Sequence, residues 1–129
     1  MLHGSWILRW GLGIVFAAFC IMQIRDPVLF TTFLPASLHG PNAILLVRAN
    51  SVLDGLLAIT IGLGIFPKLA PLVGAAHVLS IAITMGFNDV SVRDFGLAMA
   101  CLSLVFIHEA HLDGKQRAVL DRFFGPGGH

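Results

Sequence analysis

Residues 51–66 read SVLDGLLAITIGLGIF, an apolar run interrupted by a single acid, Asp54. A charged side chain at the centre of a bilayer costs about 2.5–3.5 kcal/mol on insertion scales, so an acid in such a run serves packing or function. On a helix Asp54, Ala58 and Gly62 share one face, with Asn50 a turn earlier on the same face. Ala58 and Gly62 form a small-xxx-small pair, which marks close helix contact. Asp54 is therefore expected to point at neighbouring helices and not at lipid.

The rest of the chain supports a membrane setting for this segment. Of 129 residues, 57% are hydrophobic and 12% charged, and the mean hydropathy is +0.87. Soluble domains carry about 25% charged residues, so this surface cannot face water throughout. Apolar stretches at about 6–24, 42–66, 69–87 and 90–108 each approach the ~20 residues of a spanning helix. A four-strand barrel is excluded, because membrane barrels start at about eight strands. The expectation is one all-α domain over residues 1–129, an integral membrane four-helix bundle. Residues 109–129 form a tail on the inner face.

The first span has no A-x-A-like cleavage site, and Phe19 directly precedes Cys20, so it reads as a retained helix. Lys68, Lys115, Arg117 and Arg122, with Arg9 near the membrane edge, oppose Arg25, Arg93 and Arg48. That bias places both termini in the cytoplasm. Cys20 and Cys101 lie in different spans without a C-x-x-C and read as buried, inert thiols.

Between the first two spans, VLFTTFL at 28–34 is apolar but too short to cross, and Pro27 and Pro41 flank it. It is expected to lie over the outer mouth of the bundle. Pro67-Lys68 leaves room only for an antiparallel hairpin between the second and third spans. Ser91 and Asp94 stand at capping-box spacing before the fourth. Gly114 is expected to end that helix, followed by a short amphipathic helix with Val119, Leu120, Phe123 and Phe124 against the inner leaflet.

Small or polar stripes recur on each span: Arg9, Gly13, Ala17 and Cys20; Gly74, His77, Ser80 and Thr84; Arg93, Gly96, Ala100 and Ser103. Depth decides which residues can pair. Asp54 and His77 lie near the middle of adjacent spans, so they are expected to meet. Asn50, Ser80 and Arg9 complete a candidate polar pocket. Arg48, nearer the outer surface, is expected to pair with Asp94. An Asp–His contact that only fixes helix register is the plain alternative, and Asp94 alone would suit a helix start. In HEAH, His108 and His111 share a helix face, but the motif is not H-E-x-x-H and offers few ligands, so no metal is expected.

The acid-then-Gly of the second span, the GLGIFPKLAPLVGAAH hairpin at 62–77 and VRDFGLAMACLSL at 92–104 resemble the DoxX family of small four-helix membrane proteins. Family members commonly carry Glu where this chain has Asp54. The resemblance covers nearly the whole chain. It implies a multi-pass protein of the bacterial inner membrane, a subunit associated with a redox process, with a quinone as the cofactor or ligand class in view. The residues alone establish no catalytic activity. Two other classes stay open: a small proton-coupled transporter using Asp54, and a non-catalytic scaffold subunit. The expected partners are the lipid bilayer and either redox proteins or further copies of the chain, with no nucleic acid.

Overall fold

A computed structural model describes the backbone of residues 2–124, with the side chains of 2, 3, 109–117, 120, 121 and 124 outside the described set. Four long helices account for most of it: α1 (Leu2–Arg25), α3 (Ala43–Leu63), α4 (Leu69–Met85) and α5 (Asp89–Phe124). A one-turn helix, α2 (Pro27–Thr31), and a 3₁₀ turn at Ala36–Leu38 fill the α1–α3 connection. Asp26 caps α2 by accepting from the Leu29 N–H at 3.1 Å, and Pro27 sits at its start, where a missing N–H costs nothing.

The chain runs up, down, up and down. The helices associate as two closely packed pairs, α1 with α3 and α4 with α5. The α3–α4 hairpin expected from Pro67-Lys68 is present in sequence order, yet these two helices touch more thinly than either pair. Glycine explains the first pair. A Cβ on Gly13 would stand 3.1 Å from both the Ala58 carbonyl oxygen and the Gly62 Cα, so only hydrogen fits. The small residues on α1 and α3 meet there, as the small-xxx-small pattern requires. The two pairs then close around Gly74. A Cβ there would meet Phe16 of α1, Ile61 of α3 and Cys101 of α5 within 3.5 Å. Phe16, Ile61 and Cys101 are fully buried, so this layer is a solid apolar plug.

At the far end of α3, Gly64 takes the left-handed conformation (φ 72°) and returns its N–H to Ile61, a glycine C-cap. The cap of α5 is Asn88, whose Oδ1 accepts from the Ser91 N–H at 3.0 Å. Ser91 and Asp94 therefore do not form the N-terminal box; Ser91 Oγ bonds instead to the Gly86 carbonyl and Asn88. Gly114 does not end α5 either, since the helix runs on to Phe124. Its 36 residues span about 54 Å at 1.5 Å per residue, well beyond a ~30 Å hydrocarbon layer. Of the amphipathic tail, Val119 and Phe123 are exposed, while the side chains of Leu120 and Phe124 lie outside the described residues.

The outward surface is apolar: Ile83 is 74% exposed and Phe106 66%. Three helices, at Gly4–Arg25, Ala43–Leu63 and Asp89–His108, are long and apolar enough to cross a membrane, consistent with a multi-pass membrane protein. The fourth apolar helix, Leu69–Met85, has 17 residues.

Candidate functional site

The glycines that bring α1 onto α3 also build the site. A Cβ on Gly55 would stand 3.2 Å from Cys20 Sγ, so the two helices stay close at the residue next to Asp54. Gln23, one turn beyond Cys20, is thereby delivered to Asp54. Its Nε2 donates to Asp54 Oδ2 at 2.6 Å. Asn50 Nδ2 donates to the same oxygen at 3.2 Å and to Gln23 Oε1 at 3.0 Å. From α4, His77 Nε2 lies 3.1 Å from Asp54 Oδ1. Asp54 and Gln23 are 3% and 4% exposed, so this is an interior network in which the polar atoms satisfy one another.

The network forms one wall of a cavity of about 270 Å³. Phe19 and Met22 of α1, Val47 of α3, and Val78 and Ile81 of α4 supply apolar walls. Leu29, Phe30, Phe33 and Leu34 line it from the α2 segment, which lies over the mouth as VLFTTFL suggested. His39 ties the segment back by contacting the Leu34 carbonyl at 2.8 Å. Arg93 and Asp94 close the α5 side. Arg93 Nε and Nη2 both reach Asp94 Oδ1 at 2.9 Å, and the guanidinium stands 4.7 Å from the centre of the Phe19 ring. The volume sits just under the ~300–1,000 Å³ of common small-ligand sites, enough for a ring-sized head group. An apolar enclosure with a few convergent polar groups is the form such sites take.

Compared with known protein families, curated proteins and solved structures, the chain matches none.

Of the pocket residues read from the sequence, Asp54, His77 and Asn50 come together, and Arg9 and Ser80 do not. Arg9 shares a stripe with Cys20 but lies fourteen residues before Gln23, about 21 Å along the helix. It is buried at the opposite end of the bundle, and its Nη1 has no hydrogen-bond partner among the described residues. Ser80 is exposed and returns its hydroxyl to the His77 carbonyl at 2.6 Å, as Thr84 does to Ser80. A hydroxyl bonded to its own helix needs no neighbour, which lets it face lipid.

The expected Arg48–Asp94 pair is replaced by Arg93–Asp94. Arg48 is exposed and makes no side-chain ion pair among the described residues. The adjacent Arg93 reaches Asp94 without crossing between helices. The inward face of α5 is also not the Gly96–Ser103 stripe: Asp94, Ala98, Cys101, Leu104 and Val105 are buried, whereas Gly96 and Ser103 are exposed. Gln23 was missed. Its signal was its place on the α1 stripe one turn beyond Cys20. Both cysteines are free, Cys101 buried and Cys20 partly so. The Glu109–His111 part of HEAH lies outside the described side chains.

Proposed function

We propose that this chain is a DoxX-like protein of the bacterial inner membrane with four spans and both termini in the cytoplasm. In this reading its outward-end cavity binds a lipophilic molecule with a flat, hydrogen-bonding head group, of the quinone class, and the protein serves as the membrane subunit of a redox process. The observation carrying the reading is the Asp54–His77–Gln23–Asn50 network set as the polar wall of a phenylalanine-lined cavity. Carbonyl or hydroxyl groups of a head group would find partners there, while a tail would run out between helices into lipid. The 17-residue α4 would span with modest local thinning of the bilayer. The sequence resemblance adds the redox association.

The packed layer of Phe16, Ile61, Gly74 and Cys101 closes the cavity toward the other end of the bundle. That favours a binding site over the route a proton-coupled transporter needs. The test is mass spectrometry of gently purified protein for bound quinones, lipids and partner chains. Co-purified quinone, depleted when Ile81 is replaced by Trp to fill the cavity, is the expected result. Proton-coupled uptake into liposomes without bound quinone would replace this reading with the transporter. Partner redox proteins retained by both forms, with no bound quinone, would replace it with the scaffold.

A further inference from the structure

The hydrogen-bond pattern around Asp54 fixes where protons can sit. Gln23 Nε2 and Asn50 Nδ2 both donate to Oδ2, so that oxygen carries no proton. Any acid proton is on Oδ1, which faces His77 Nε2 at 3.1 Å. One proton must occupy that Oδ1···Nε2 axis, because two facing lone pairs would repel. It sits on either atom without changing the count. The count of the pair changes only at His77 Nδ1. There, a bare nitrogen leaves the pair with a charge of about −1 and offers an acceptor; an N–H makes the pair neutral and offers a donor.

His77 lines the cavity, and its side-chain hydrogen bond, to Asp54, runs through Nε2 and leaves Nδ1 for a ligand. The remaining charged groups near the pair balance each other. From α5, Arg93 and Asp94 line the same cavity and are bonded together. From α1 comes the neutral Gln23, from α3 the neutral Asn50, and the α2 segment contributes apolar side chains. His39 contacts the Leu34 carbonyl, and Arg48 is exposed.

We propose that His77 Nδ1 is the contact point for the ligand's polar head and exchanges one proton according to whether that head presents a carbonyl or a hydroxyl. The proposal rests on the quinone-class reading above and names the proton chemistry of that site. A carbonyl only accepts, so it selects the Nδ1–H form and draws a proton into the site when it binds. A hydroxyl donates best to the bare nitrogen, so it selects the form with one proton fewer. Asp54 is then a positioning residue that holds the ring by its other nitrogen.

If a fraction f of free protein has Nδ1 protonated, the carbonyl form takes up 1 − f protons and the hydroxyl form releases f. The two always differ by about one proton, and by linkage the ratio of their dissociation constants changes about tenfold per pH unit.

The test is anaerobic titration calorimetry of the protein in phosphatidylcholine nanodiscs, using a short-tail benzoquinone and its quinol. Repeating it in buffers of different ionisation enthalpy counts the protons. The expected result is that both forms bind and that the quinone takes up about one proton more than the quinol. In His77→Gln, which retains a polar side chain without a titrating ring, both forms bind more weakly and the difference between their proton counts vanishes. Equal proton counts for the two forms in the unmodified protein would overturn the proposal while leaving the quinone-class reading intact. A difference that persists in His77→Gln would do the same. Binding of neither form would overturn that reading and this proposal together. Should His77→Gln fail to fold, the count on the unmodified protein decides alone.

Discussion

Asp54, only 3% exposed, accepts from two amides and faces an imidazole, so its substitutions should differ sharply. Asp54→Asn keeps the shape and an oxygen for Gln23 and Asn50, and the protein should fold normally. Asp54→Leu strands the Gln23 amide and the ring and leaves Asn50 its bond to Gln23, each stranded buried donor costing about 1–3 kcal/mol. Thermal unfolding in detergent should show a clear loss for Leu and a small one for Asn; equal losses would mean that the amides have other partners. Arg93 and Asp94 should show coupling in a double-mutant cycle, whereas Arg48→Met should couple to neither. The Asp54–His77 contact was legible because both residues sit at mid-span in sequential helices. Arg9 was misplaced because a helical stripe reports face but not depth. Gln23 was overlooked because an uncharged amide near a helix end looks like an ordinary boundary residue. Ser80 misled for a different reason: its hydroxyl is satisfied by its own backbone.

Between elements, the decisive contact is glycine against glycine. Gly13→Ala places a methyl 3.1 Å from the backbone of Ala58 and Gly62, which cannot move without parting α1 from α3. A loss of about 1–3 kcal/mol is expected, as for overpacked cores. Gly96→Ala on α5 meets nothing within 4 Å and should be neutral or stabilising by up to about 1 kcal/mol through helix propensity. Chemical unfolding of both variants in one detergent checks this, and a Gly13→Ala protein as stable as the parent would contradict the close approach. The small faces of α1 and α3 were readable from spacing alone. The inward face of α5 was not, since small residues suit lipid and neighbour alike and only packing distinguishes Cys101 from Ser103. Gly114 was read as a helix stop, yet one glycine costs a long helix only about 1 kcal/mol relative to alanine.

At the scale of the whole molecule, an apolar exterior encloses a largely apolar cavity with one polar wall, which lies beneath the α2 segment and is closed below by the Phe16–Gly74–Cys101 layer. Membrane insertion was evident from charge content and hydropathy, whereas the cavity arises from how α2 and Arg93 close over Asp54, which no single segment encodes. The proposed topology places Ser37 and Lys115 on opposite faces, so cysteines introduced there should be labelled from opposite sides; labelling from one side would refute it. The central claim is that a lipophilic head group occupies the cavity against Asp54 and His77. Its most direct test is photoaffinity labelling of the protein in nanodiscs with a short-tail azidoquinone, the label being mapped by peptide mass spectrometry. Label is expected within residues 19–34, 47–54 and 77–94, competed away by unmodified quinone and strongly reduced by Ile81→Trp. Competable label confined to the Trp6–Trp10 end of the bundle, or label in the cavity segments that free quinone does not displace, would contradict it.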